Sequence, residues 1–522
     1  MNHDAARTAA ARRLSLFTAA FVAAAGVVVM TAPPALAATA PRPAPSPVAA
    51  GYNHTLTLAA GGAVRAFGAG DNGDLGVGSH AEHDTAVQVQ GVGGVGVLSH
   101  VAAVAAGTRY SLGLLATGNV VGWGDNTSGQ LGDNTNGNER TTPVYVAGPT
   151  GSGHLVGIVA IAANAIGTTS FALKSDGTVW AWGANNAGQL GVNNADVDTK
   201  LPVEVHGPSN VGHLTNIVAI AVGAEHAVAL KSDGTVWTWG GNADSQLGIG
   251  STGSEADWPV QVVGVGGVGT LTNVVGVSAG GYFTSALKSD GTMVGWGDDA
   301  YGELGDFNAP NDSNTPVAPS GLGAGLVAIA GGTYMTFAVK ADGTVWGWGN
   351  NVNGYLGIGS QTTPIPSPHR VQRLVDGSGV VALAAGYQTG AAVTAQGVVY
   401  RWGWNLVGQL GDSTTIDATW PVRAVNLPKI ANPALLLLVA PTISGTATAG
   451  HALAVSKGTW GLPATAWAYQ WLRNGAAILH ATNATYTLTT ADKGKKISAR
   501  VTAHRAGYPN GVATTASRTV SS

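Results

Sequence analysis

Asp298 and Asp299 stand together in the stretch Asp298-Asp299-Ala300-Tyr301-Gly302-Glu303, the best candidate for a paired carboxylate anywhere in this chain. Two carboxyl groups divide acid and base work when their environments drive their acidities apart, and several oxygens converging on one point hold a hard cation such as calcium. Adjacent residues usually point apart, however, and Asp or Asn in a tight turn is favoured because its side chain bonds nearby backbone groups. Similar pairs recur at Asp71-Asn72, Asp125-Asn126, Asn185-Asn186 and Asn350-Asn351, so turn formation is the expectation and catalysis is not. His54 and His226 occupy one repeat position and invite a metal reading, but Tyr110, Thr169, Phe283, Met335 and Thr389 hold that position elsewhere. A metal needs several ligands within about 2 to 2.5 Å of one ion, which residues spread along a repeat cannot provide. Both histidines are therefore expected to pack or hydrogen-bond. No GxSxG, HExxH or phosphate-loop pattern is present, and the absence of cysteine excludes disulfides, thiolate catalysis and zinc-thiolate sites. The expectation is a non-enzymatic protein with no catalytic residue, metal or cofactor.

The polar stretches belong to a unit that occurs seven times. Its anchors are Phe67, Trp123, Trp182, Trp239, Trp296, Trp348 and Trp402, separated by 56, 59, 57, 57, 52 and 54 residues. Periods of this size signal a repeat architecture. The fourth copy is the plainest: the apolar run Ile217 to Val222, His226 to Leu230, the turn Ser232-Asp233-Gly234, Val236 to Trp239, a loop ending Gln246-Leu247-Gly248, and Trp258 to Val263. Asp-Gly between two β-rich runs is a strong hairpin signal, because the turn needs positive φ. Four short strands in about 54 residues describe a propeller blade better than a solenoid coil. Trp180 and Trp182, Trp237 and Trp239, and Trp346 and Trp348 are two apart and share a strand face. The anchors are expected to fill the seams between blades. Recurring Gln130, Gln189, Gln246 and Gln409 point to a shared structural role, whereas recognition should use positions where copies differ. Trp404, Tyr301 and Tyr355, with the loop from Asp306 to Asn314, are the candidates for a contact surface.

Composition agrees with short strands and tight turns: glycine is 78 of 522 residues, and charged residues are 10% against a usual ~25%. A formal charge of −3 with no Lys/Arg cluster argues against a nucleic-acid or anionic-membrane partner. Residues 1–37 read as a signal peptide: Arg7, Arg12 and Arg13 precede an apolar run from Leu14 to Met30, and Ala35-Leu36-Ala37 suits signal peptidase. Residues 38–47 are a proline-rich linker. No later apolar run is long enough to span a bilayer, so no membrane span is expected after signal cleavage.

The pattern GxxHsxALksDGtVwxWGxNxxGQLG resembles the regulator of chromosome condensation (RCC1) repeat family, whose type member is a seven-bladed β-propeller. The resemblance covers about 380 residues, assigned to 48–427; Kelch repeats share the period but differ in motif order. After a linker over 428–440, residues 441–522 carry about seven short strands and a central Trp471, and resemble the cysteine-free immunoglobulin-like (Ig-like) modules of secreted bacterial proteins. The expected fold class is all-β: a seven-bladed propeller followed by a small Ig-like sandwich. The implied function is a secreted, monomeric binding scaffold, extracellular or attached to the cell wall. Its loops would hold a protein or cell-envelope glycan, with the Ig-like module as spacer or attachment unit. Resemblance also implies two alternatives, inhibition of a secreted enzyme of the β-lactamase kind and guanine nucleotide exchange, although no residue transfers for either. A polysaccharide-active enzyme would need carboxylates converging in one pocket.

Overall fold

The computed structural model describes residues 47–521, apart from 254, 375–378, 429–436, 440, 461–465 and 505–510. The expected signal peptide and most of both linkers lie outside the described residues.

Each repeat folds into one antiparallel sheet of four strands in chain order, and the described residues hold seven such sheets. Sheet 4 comprises Ile217–Val222, His226–Lys231, Val236–Gly240 and Ala256–Gln261. Its second strand is buried along five of six residues, as expected of a strand covered on both faces. At the hairpin, Gly234 takes φ +82° and Asp233 accepts hydrogen bonds from the Thr235 amide and hydroxyl at 3.0 and 2.6 Å. The first strand of each sheet lies against the first strand of the next, and that of sheet 7 lies against that of sheet 1. The sheets thus form a closed ring, a propeller.

No strand is exchanged at closure, because sheet 1 starts with its own inner strand, Val48–Ala50, and sheet 7 ends with its own outer strand, Ala418–Arg423. Instead, Val48 and Phe67 pack with Ala391, Val393 and Val399. The Thr55 hydroxyl donates to the Gln409 carbonyl at 3.0 Å, and the Tyr387 amide donates to the Gly51 carbonyl at 3.3 Å.

The seven anchors are each 0% exposed. Five indoles donate from Nε1 across a seam to the loop of the preceding sheet: Trp123 to Asp74 O, Trp182 to Gln130 O, Trp239 to Gln189 O, Trp296 to Gln246 O and Trp348 to Glu303 O, at 2.7–3.0 Å. The glycine after each anchor has a backbone reason. Gly240 sits at φ +97°, and a Cβ there would lie 2.3 Å from the Glu225 carbonyl oxygen.

In such a meander, the turn between strands one and two and the loop between strands three and four emerge at the same end. This end is called the loop face here; the Asp-Gly hairpins emerge at the other, the hairpin face.

Beyond the ring, Ile443–Gly445, Ala452–Val455 and Thr485–Thr487 form one sheet, and Ala466–Arg473, Ala476–Ala477, Lys496–His504, Gly511–Thr514 and Arg518–Thr519 form another. Trp471, 0% exposed, sits in a core with Leu453, Leu488, Ile497 and Val501, and its Nε1 donates to Asn483 O at 2.9 Å. Asp492 accepts from Arg473 Nε at 2.6 Å and from the Tyr486 hydroxyl at 2.9 Å.

Candidate functional site

Six of the seven long loops on the loop face are pinned by one side chain three residues after the anchor; sheet 1 has Gly70 there. In sheet 4, Asn242 accepts from the Leu247 amide at 3.1 Å and donates to Ser251 O at 3.0 Å, pinning both arms of the loop. Asn185, Asn351 and Asn405 hold their loops in the same way. Asp299 takes this place in sheet 5: its Oδ1 accepts from the Leu304 amide at 2.8 Å, and its Oδ2 has no hydrogen-bond partner. Burial pushes its carboxyl up to about 7. Asp298 instead caps the Ala300 amide at 3.0 Å. The adjacent carboxylates are occupied by different backbone groups, as turn chemistry demands.

The glutamine position works similarly. Gln130, Gln189 and Gln246 each accept from the amide two residues earlier at 2.8–2.9 Å. Glu303 does the same for Tyr301 at 2.8 Å, leaving its Oε1 without a partner. Burial first, then the charge of Asp298, pushes the Glu303 carboxyl up to about 9, so it holds a proton at neutral pH.

His54 and His226 reach across seams from Nε2 to the Ser111 and Thr284 hydroxyls, both at 3.0 Å. Burial lowers them to about 4 and about 3, with Arg401 adding to the shift at His54. No group of three or more metal-ligating residues occurs among the described residues. Sequence reasoning missed the hydroxyls themselves. Thr55, Ser111, Ser170, Thr284 and Thr336, each second in its strand, donate to the preceding loop's carbonyl at 2.8–3.0 Å. Their repetition beside the histidine position was the available signal.

The copies also differ at the short turns between strands one and two. Four tyrosines there and in the adjoining loops form a continuous row. Tyr52 stacks on Tyr387 at 4.2 Å, Tyr387 lies 6.3 Å from Tyr334, and Tyr334 meets Tyr301 edge-on at 5.4 Å. Tyr282 stands in the turn of sheet 5, where burial raises its hydroxyl pKa and Glu225, Tyr334, Asp244 and Asp298 add to the shift. Of the expected contact residues, Tyr301 is 37% exposed and joins the row. Trp404 is half-buried against the core, its amide donating to Gln388 O at 3.1 Å. Tyr355 is 3% exposed within the core between sheets and offers no contact surface, because its ring fills the glutamine position. In the 306–314 loop, Phe307 is exposed. The other turn tyrosines went unrecognised because they come from separate sheets, and only ring closure brings Tyr52 beside Tyr387.

A sequence profile of the RCC1-like domain matches residues 154–471, more than half the chain. The chain belongs to the RCC1-like domain family. Profiles of the single RCC1 repeat also match residues 101–130 and 117–164. The ultraviolet-B receptor UVR8 of Arabidopsis thaliana is 29% identical over 378 residues, 72% of this chain and 80% of that protein. The E3 ubiquitin-protein ligase HERC2 of Homo sapiens is 30% identical over 307 residues, 58% of this chain but 6% of HERC2. Among solved structures, human WBSCR16 superposes with a TM-score of 0.58 at 23% identity, covering 70% of this chain and 94% of that one. Yeast RCC1 (Prp20), solved with Kap60, gives 0.56 at 22% identity, covering 74% and 85%. Both likenesses concern the fold alone.

Proposed function

We propose that this RCC1-like protein is an exported, non-enzymatic binding scaffold whose loop face, over sheets 4 to 7 and sheet 1, is the contact surface. The observation that carries the reading is the tyrosine row interleaved with carboxylates where the seven copies diverge. Tyrosine supplies large, rigid contact area at low entropic cost, which is why it is enriched at binding hot spots. The relatives' names, a receptor and a ubiquitin ligase, describe different functions. Asp298 and Asp299 each hold a different backbone amide through one oxygen, which favours turn formation over a catalytic carboxylate pair. The apolar run before Ala35-Leu36-Ala37 supports export. The two sheets around Trp471 support an Ig-like spacer or attachment unit.

The test is capture of partners from the producing organism's culture fluid and envelope by the full-length chain, by Tyr334→Arg on the loop face, and by Ser289→Arg on the hairpin face. Wild type and Ser289→Arg should retain the same partner, and Tyr334→Arg should lose it while keeping a native circular dichroism spectrum. Retention by Tyr334→Arg together with loss by Ser289→Arg would place binding on the wrong face.

A further inference from the structure

Charge is segregated within the ring far more than its net value suggests. The described first turns and long loops of sheets 4 to 7 are residues 223–225, 241–253, 255, 280–282, 298–312, 332–334, 350–364, 386–388 and 404–417. Together they hold ten of the chain's 28 acidic residues and none of its 25 lysines and arginines. Two of the ten, Asp299 and Glu303, are buried and raised to about 7 and about 9. The others include Glu225, Asp244, Asp298 and Asp312, none of which has an ion-pair partner among the described residues. Asp312 accepts from the Asp299 amide at 3.1 Å, next to Asp298, which accepts from the Ala300 amide at 3.0 Å. Burial and then Asp312 and Glu225 raise the Asp244 carboxyl, while burial heads the causes at Asp298, where Asp312 and Asp244 also contribute. Like charges gathered without a cation destabilise the free surface and are relieved by a cationic guest.

The tyrosines specify the guest further. Tyr282, Tyr334 and Tyr301 lie among these carboxylates, and the row continues through Tyr387 to Tyr52. Aromatic rings bordered by carboxylates attract a positive group twice over, through the ring quadrupole and through Coulomb attraction. A nucleic acid would meet repulsion here. A divalent ion finds no three-ligand cluster among the described residues. A neutral glycan would leave the like charges uncompensated. A row of rings extending over several sheets fits an extended chain better than one small cation.

We propose that the loop face of sheets 4 to 7 docks a lysine- or arginine-bearing segment of a protein partner, its cationic heads among Asp244, Asp298 and Asp312 and its stems along Tyr282, Tyr334 and Tyr301. This rests on the loop-face reading above and names the partner's chemistry. The probe is a fluorescein-labelled oligolysine peptide of about eight residues, titrated by anisotropy with the full-length chain at roughly 50 and 300 mM salt. Binding is expected, weakening with salt. The double variant Asp244→Asn/Asp298→Asn should lose about tenfold or more in affinity, and Tyr334→Leu should also weaken it. Asp290→Asn, on the hairpin face, should leave it unchanged. Failure to bind, equal binding of an oligoglutamate peptide, or an unchanged affinity in the double variant would overturn the inference. Competition by free choline as strong as by unlabelled oligolysine would also overturn it, in favour of a small-cation pocket. If native-partner capture requires Tyr334 while oligolysine does not bind, the loop face stands as the contact surface and the cationic segment alone falls.

Discussion

A single loop carbonyl serves as the fastening point of most seams, receiving an indole N–H and often a hydroxyl from the next sheet. Glu303 O accepts both Trp348 Nε1 at 2.7 Å and Thr336 Oγ1 at 2.8 Å. Trp402 departs from this pattern. Gly390 stands where other sheets carry Ser, Thr or Ala, and a Cβ there would lie 2.2 Å from the indole. The ring occupies that space, packs edge-on to Phe337 at 5.5 Å, and leaves its Nε1 without a partner. Trp348→Phe should therefore cost about 1 kcal/mol more than Trp402→Phe, read from chemical unfolding of both variants. Truncating Trp239 to alanine should cost about 3 to 5 kcal/mol. Glu303 provides a pH test. Its folded pKa is raised to about 9 from an ordinary 4.5, so its contribution to stability is fully present below 4.5 and is lost as pH rises toward 9. Glu303→Gln keeps the acceptor for the Tyr301 amide and removes the titration. The variant should melt at least about 3 °C above wild type at alkaline pH, with the difference shrinking below pH ~4.5. A constant difference across that range would contradict the buried, protonated state.

The sheet was the most legible element, because each of its signals is local. Asp233-Gly234 sets a hairpin, Trp237 and Trp239 set a strand face, and the burial of Trp239 follows from its spacing to Gly240 and Gln246. Tyr355 was misplaced on the surface because its side chain occupies a position that is glutamine elsewhere, and residue type alone does not show direction. The tyrosine row was not legible, since no spacing within one repeat says which turns meet across the ring. The closing seam is likewise non-local: Phe67 lies against Gly411, where a Cβ would come within 2.7 Å of the ring. Each sheet is contiguous in sequence, so one can be removed cleanly. Deleting residues 217–273 joins Asn216 to Val274, an equivalent strand start. The six remaining sheets would each have to span roughly 60° instead of about 51°, opening seams shaped for one indole. The deletion should give no sharp unfolding transition and no monodisperse monomer by size-exclusion chromatography, whereas an open array would lose one unit and stay folded.

At the scale of the molecule, a formal charge of −3 conceals a ring whose loop face over sheets 4 to 7 carries acids without cations. Composition suggests a weakly charged protein with little long-range attraction for anything; the fold concentrates that charge beside the tyrosines. Surface charge of this kind acts on encounter rate and salt sensitivity more than on fold stability. Hydrogen–deuterium exchange of the full-length chain, alone and with its captured partner, tests the central claim most directly. Protection is expected at residues 280–282, 297–304 and 332–334 on the loop face. Protection confined to the hairpins at residues 175–178, 232–235 and 289–292 would contradict it.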